Sequence, residues 1–457
     1  MQKAREHWSS HLGFILVAAG SAIGLGVLWK FPYVTGENGG GLFVLAYIAC
    51  TLLIGIPVFI GELVIGRNAQ RGAVGSFAHL SHNNTFWKSV GWLGVLASFL
   101  IMSYYSVLGG WGMNYILMSL SHFWQGKSIP EIRDAFDVLA SSGDITLFWH
   151  FAFTALTVAV VLPGIRHGIE FWSRFMTSGL FIILVALMIY SLTLPGAAEG
   201  IKFFLYPDFS KLTASGILQA LGLSFFTLSL GQGVMITYGS YMRPHDDIPR
   251  TGLIIGSSII LISLMVGLMT FPIIFSFNLP PQGGPGLVFK TLPVLFSQLP
   301  GSLLISTTFF VLFVFTALTS AIALVEVVVA NFIDLFGWTR KKAALIVGSA
   351  CFIFGIPSAL SISGPLFANW SQIYGKTFFK TIDDLVTDWF LPVCGFLTAL
   401  YIGWFWEKEK AYEEYASGTR LGFLFKPWMF FMKWIAPAAI FLIILSKSGV
   451  NLDALFK

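Results

Sequence analysis

GFILVAAGSAIGLGVLWKFPY, Gly13 to Tyr33, is apolar enough to lie in hydrocarbon, yet its middle, Gly20 to Gly26, holds three glycines in seven residues. That middle cannot stay regularly helical. An unpaired peptide group costs several kcal/mol inside a bilayer, so irregular backbone survives there only where it is buried in protein or lines a cavity. The break from Gly20 to Gly26 therefore predicts a ligand site.

The rest of the chain places that segment in a polytopic, all-α membrane protein. Of its 457 residues 56% are hydrophobic and only 11% charged, and 45 are Phe. Apolar runs of about 20 residues, enough for about 30 Å of hydrocarbon, number about eleven. They centre near residues 22, 54, 105, 155, 183, 227, 264, 318, 349, 395 and 439. Lys3 and Arg5 before an apolar run imitate a signal peptide, but the run continues to Tyr33 and further spans follow, so it is read as a retained first helix. Lys and Arg concentrate in the even loops, for example Arg67, Arg71 and Lys88 in the second and Arg340, Lys341 and Lys342 in the eighth. By the positive-inside rule the amino terminus lies inside and, with an odd span count, the carboxyl terminus outside. The net charge of +5 is thus a topology signal and gives no reason to expect nucleic-acid binding. Cys50, Cys351 and Cys394 all fall in apolar spans and read as small buried hydrophobes, and the eight His residues show no ligand spacing.

A second interruption, SLGQG at Ser229 to Gly233, splits the sixth span, five helices after the first. Breaks in corresponding positions of two halves point to a transporter site at the interface of inverted repeats. The competing reading is tight helix packing by Gly20 and Gly24 at four-residue spacing. A broken helix exposes amides that attract anions and carbonyls that attract cations, which suits a zwitterion and a sodium ion. Amides near Leu25 and Gly26 can hold a carboxylate; carbonyls near Gly20, Ala22 and Ile23 face the other way, and those of Phe226 and Thr227 can meet an ammonium group.

These residues resemble the neurotransmitter:sodium symporter family, specifically its bacterial amino-acid transporters of the eleven-helix, leucine-transporter type. The resemblance runs through REHW (Arg5 to Trp8), GSAIGLG, KFPY (Lys30 to Tyr33), ENGGG (Glu37 to Gly41), GIPVFIGELVIGR ending at Arg67, FFTLSLG and ITYGSY, in order. It implies sodium-driven uptake of a neutral amino acid by alternating access in the bacterial cytoplasmic membrane; no nucleophile, base and oxyanion group converge in the motifs, so no enzymatic activity is expected. It also implies a 5+5 inverted-repeat core: residues 1–195 and 196–412 as the repeats and 413–457 as the eleventh helix and tail. A monomer or weak dimer is expected.

Carried over by position, one sodium site uses Gly20, Ile23, Thr316, Thr319 and Ser320, the last three from TALTS in the eighth span. Those hydroxyls can instead bond back to their own helix; opposite a broken helix they suit an oxygen-seeking cation. The family's second sodium site needs two side-chain amides, and their positions hold Val27 and Ile259, which argues against a second sodium. Chloride stays open. Tyr47, Thr227 and Ser263 match members that bind it, whereas the family's glutamine and asparagine are Leu223 and Ile259.

The same matching surrounds the substrate with Ala22, Gly24, Leu25, Gly26, Ile101, Tyr105, Phe226, Thr227, Ser229, Gln232, Ser320 and Leu324. Monoamine members place an aspartate at Gly24, so its absence implies that the substrate brings its own carboxylate, held by Tyr105 and the Leu25 and Gly26 amides. Gln232 can bond a polar substrate side chain, shape a small pocket, or satisfy unwound backbone. Lys30 with Asp383, or the adjacent Asp384, resembles the outer gate; Arg5 with Asp334 resembles the inner one, beside Trp8, Ser240 and Tyr241. Glu62 and Glu326 are intramembrane acids and hence functional candidates, Glu62 matching a glutamate that braces the broken sixth helix. A sodium-independent or proton-coupled exchanger and a non-transporting receptor are the competing classes.

Overall fold

The computed structural model describes residues 5–211, 213–277, 286–363 and 368–450. Among these residues every regular element is a helix. Nine helices are long and apolar enough to cross a membrane, from Gly41–Ala69 to Gly422–Lys447, and a bent pair, His11–Ala22 with Gly26–Glu37, makes a tenth span. Ala214–Thr227 and Val234–Gly239 together form the remaining crossing, the sixth in chain order. All eleven expected centres fall within these helices or the short breaks inside them.

Burial sorts the spans into interior and rim. In the third, Thr85–Leu120, and the eighth, Ser302–Phe336, 78% and 83% of the most apolar stretch is buried, against 28% in the eleventh, Gly422–Lys447. The third and eighth pack along one another, and the first lies between the eighth and the fifth, Ile165–Leu192. Nearly every residue of the first and sixth spans is buried from Gly13 to Leu28 and from Ala220 to Met242. The two broken helices thus run through the centre of the bundle, where irregular backbone is sheltered from lipid.

Local chemistry sets the helix starts and bends. Ser10 Oγ accepts the Gly13 amide at 3.0 Å and Asn84 Oδ1 that of Phe86 at 2.9 Å, satisfying N–H groups that a helix start leaves free. Five spans or linkers show a π-helical turn ending two residues before a proline: Gly26–Lys30 before Pro32, Thr51–Gly55 before Pro57, Leu287–Thr291 before Pro293, Leu385–Phe390 before Pro392 and Phe431–Ile435 before Pro437. Proline has no N–H and its ring strikes the carbonyl four residues back; a wider turn removes that clash without ending the helix.

The two breaks differ from the expected limits. His11–Ala22 stays regularly helical through Gly20, and only Ile23 and Gly24 leave the helix before it resumes at Leu25 and Gly26, at a bend of 46°. Gly20 serves packing: a Cβ there would lie 2.1 Å from Thr177 Oγ1. The second break runs from Leu228 to Gly233 and contains Ser229, Gly231 and Gly233 at φ of 54°, 73° and 70°. Two of those three left-handed positions are glycine, which accepts that conformation without a Cβ penalty.

Candidate functional site

Between the two breaks lies a cavity lined by Ser21, Ala22, Gly24, Leu25, Gly26, Ile101, Tyr105, Phe226, Ser229, Gln232, Val234, Ser320 and Leu324. Eleven of the twelve expected substrate residues are in that lining. Thr227 is not: its hydroxyl turns away to Tyr47 Oη at 2.9 Å and to the Ser224 carbonyl at 3.2 Å. Tyr47 Oη also lies 3.2 Å from Ser263 Oγ, so the three hydroxyls form a separate cluster whose members satisfy one another. Ser21 and Val234 were not expected in the lining; Ser21 lies inside the expected break Gly20 to Gly26 and Val234 directly follows the one at Ser229 to Gly233, and those positions are the only signal for them.

At one end of the cavity the Leu25 amide donates to Tyr105 Oη at 3.0 Å. A Cβ on Gly24 would sit 2.4 Å from Ser320 Oγ and 3.1 Å from Tyr105 Oη, so any side chain there would invade this end. Gly26 leaves room for Phe226, whose ring would meet a Cβ at 2.6 Å. The Phe226 carbonyl, one of the two offered to an ammonium group, already accepts the Ser229 amide at 3.1 Å.

Beside the cavity, Thr319 Oγ1 donates to the Gly20 carbonyl at 2.8 Å and lies 3.0 Å from the Thr316 carbonyl. Ser320 Oγ donates to the Ser21 carbonyl at 2.8 Å and lies 3.4 Å from that of Thr316. Gly20, Thr316, Thr319 and Ser320 thus converge as neutral oxygens, a donor set that fits a hard cation such as sodium. Thr316 contributes by its carbonyl; its hydroxyl bonds back to Leu312 at 2.7 Å, as β-hydroxyls in membrane helices commonly do. Ile23 closes the helix end facing this group, its own amide bonded to the Ala19 carbonyl at 2.8 Å. Val27 and Ile259, where a second sodium site would need amides, are apolar and fully buried.

Glu62 Oε1 accepts the Gly231 amide at 2.8 Å, so this buried carboxyl braces the second break. Arg5 pairs with Asp334 at 2.8 Å, donates to Ser240 Oγ at 2.7 Å and stacks over Tyr241 at 4.7 Å. Trp8 Nε1 donates to the Tyr238 carbonyl at 3.1 Å. Close by, the wholly buried Glu326 accepts Tyr241 Oη at 2.6 Å and Arg340 at 2.6 Å. Arg340, read in the sequence only as a loop cation, is thereby part of the same cluster. The expected outer pair does not form. Lys30 Nζ sits 4.8 Å above the Phe226 ring, while Asp383 takes Tyr104 Oη at 3.2 Å and Lys380 at 3.1 Å. Asp384 pairs with Lys376 and Lys380 at 2.8 and 2.7 Å, so both carboxylates are satisfied locally.

The family model described as the sodium:neurotransmitter symporter family matches residues 5–130 and 121–455. The chain belongs to that family. An uncharacterized sodium-dependent transporter, YhdH of Bacillus subtilis, is 40% identical over 97% of this chain and 98% of its own length. A second uncharacterized sodium-dependent transporter, from Haemophilus influenzae, is 35% identical over 97% and 98%. Among solved structures, MhsT in complex with L-phenylalanine superposes with a TM-score of 0.88 at 40% identity, covering 97% of this chain and all of MhsT. This symporter-family member is therefore a sodium-dependent transporter and an integral membrane protein, with the fold of MhsT and no enzymatic role.

Proposed function

We propose that this protein takes up a neutral amino acid by alternating access, coupled to one sodium ion per cycle. The observation that carries the reading is the cavity between the two breaks, with the Leu25 amide and Tyr105 hydroxyl at one end and the Gly20, Thr316, Thr319 and Ser320 oxygens beside it. The amide and hydroxyl suit a carboxylate that carries its own charge, and the amino-acid ligand of MhsT supports the same class. No Asp, Glu, Lys or Arg lines the cavity, which favours a substrate without net charge.

Sodium bound by Gly20, Ile23, Thr316, Thr319 and Ser320 joins the first span to the eighth and orders the break for substrate. Loading then allows the outer end to close, with Lys30 reaching Asp383, and the Arg5–Asp334 end to open. Val27 and Ile259 give a second sodium no side-chain oxygen, and chloride is not counted among the transported ions, since Leu223 and Ile259 offer it no donor. The corresponding breaks support a core of two inverted repeats, 1–195 and 196–412, followed by 413–457. The loop charges support an amino terminus inside the bacterial cytoplasmic membrane and a carboxyl terminus outside.

One sodium crossing about 100 mV supplies roughly 2.3 kcal/mol, and a tenfold gradient adds about 1.4 kcal/mol. Accumulation is then limited to roughly several-hundredfold. The test is labelled amino-acid uptake into proteoliposomes with sodium and chloride varied independently. A hyperbolic sodium dependence, weakened by roughly tenfold to a hundredfold in Thr319→Val, is expected. Uptake that rises cooperatively with two sodium ions per substrate overturns the one-site reading.

A further inference from the structure

We infer that Gln232 selects the substrate side chain, and that the transported amino acids are neutral ones whose side chain ends in a hydroxyl or carboxamide. This rests on the amino-acid reading above and sharpens it to a chemical class.

The cavity has a direction. Tyr105 and Ser320 stand at the level of the first break, bonded to or close upon Leu25, Ser21 and Gly24. Ile101 precedes Tyr105 by four residues on the third span, and Leu324 follows Ser320 by four on the eighth. A four-residue step moves about 6 Å along a helix and stays on the same face. Because the third and eighth spans run in opposite directions, both steps lead the same way, toward the Arg5–Asp334 end. A substrate whose carboxylate meets Leu25 and Tyr105 therefore sends its side chain between Ile101 and Leu324.

Gln232 lies at that far end. Its backbone carbonyl is fixed by Ser98 Oγ at 2.6 Å, and Ser98 sits one turn beyond Ile101 on the third span. The residue is only 4% exposed, and its side-chain amide has no hydrogen-bond partner among the described residues. Nor is that amide sealed into protein, as the Ser21 hydroxyl is; it keeps a face on the cavity that Gln232 lines. Ile101, Val234 and Leu324, which share the lining with it, carry no polar side-chain group. A buried amide left in this state is costly, and a ligand group that both donates and accepts relieves it. In the unwound segment the Ser229 and Leu230 amides turn back to the Phe226 and Phe225 carbonyls and the Gly231 amide goes to Glu62, and the Gln232 side chain makes no bond to backbone among the described residues.

The apolar walls suit a short carbon stem and the amide suits its polar end. A charged end would find no counter-charge in the lining, and a wholly apolar one would leave Gln232 unpaired. A site built to hydrogen-bond a group discriminates strongly against the analogue lacking it.

The experiment measures binding of near-isosteric pairs to the purified full-length transporter in sodium: threonine against valine, asparagine against leucine, and glutamine against norleucine, for the wild type and Gln232→Leu. The wild type is expected to favour the polar member of at least one pair by tenfold to a hundredfold. Gln232→Leu is expected to abolish or reverse that ratio, and ratios within one protein cancel differences in yield or stability. A wild type that binds the apolar members as well or better overturns the inference while leaving the amino-acid reading intact, as does a ratio that Gln232→Leu leaves unmoved. Absence of sodium-dependent binding by every amino acid tried overturns both.

Discussion

The two ends of the broken spans partner their charged groups in different ways. At the Arg5–Asp334 end the partners come from distant parts of the chain: Arg5 meets Ser240 and Asp334, Asp334 also accepts the Gly72 amide at 2.7 Å, and Trp8 reaches Tyr238. At the opposite end, Asp383 and Asp384 are occupied by Lys376, Lys380 and Tyr104, and Lys30 only overlies Phe226. One end is locked by contacts between distant segments, and the other is a set of charges satisfied mostly by near neighbours in sequence, Lys376 and Lys380. Opening the first requires several long-range contacts to break together, whereas the second can move with its local pairs intact.

Three substitutions test that contrast. The largest effect is expected from Arg340→Met, which strands the fully buried Glu326; breaking a buried pair costs about 3–5 kcal/mol. Thermal unfolding of the purified protein measures it, and Glu326→Gln combined with Arg340→Met should recover most of the loss. A single variant as stable as wild type removes the lock from the account. Arg5→Ala comes next. Its pair with Asp334 is partly solvated, with side chains 14% and 18% exposed, so about 1 kcal/mol is at stake. Hydrogen exchange in Val234–Gly239 should quicken by about fivefold. Lys30→Met should cost least, about 0.5 kcal/mol for the lost cation–ring contact, and shift sodium-dependent substrate binding by about twofold. Exchange in Val234–Gly239 that quickens as much in Lys30→Met as in Arg5→Ala would erase the difference between the two ends.

The helical architecture was open to reading because hydrocarbon imposes it: each crossing must be long, apolar and internally bonded. The breaks were visible for the same reason, since glycine clusters in such segments have few explanations. Yet glycine alone did not separate its two uses. Gly20 sits in regular helix because Thr177 needs the space, while Gly24 belongs to the break and clears Ser320 and Tyr105. Eleven cavity residues were identified through motif position, but Thr227 shows the limit of that approach. The residue follows the lining residue Phe226 directly in the chain, yet its hydroxyl faces Tyr47 and it stays out of the lining. Which way a side chain points at a helix end depends on neighbours from other spans.

By itself the sequence determined that this is a polytopic helical membrane protein, where its two central helices break, and which family motifs it carries. Those properties are local, set by hydrophobic runs, glycine and short spacings. Only the tertiary structure decided that Lys30 lies on Phe226, that Arg340 closes on Glu326, and that Gln232 faces the cavity unpartnered. Such outcomes rest on contacts between distant segments, where several polar groups compete for the same partner and packing chooses among them.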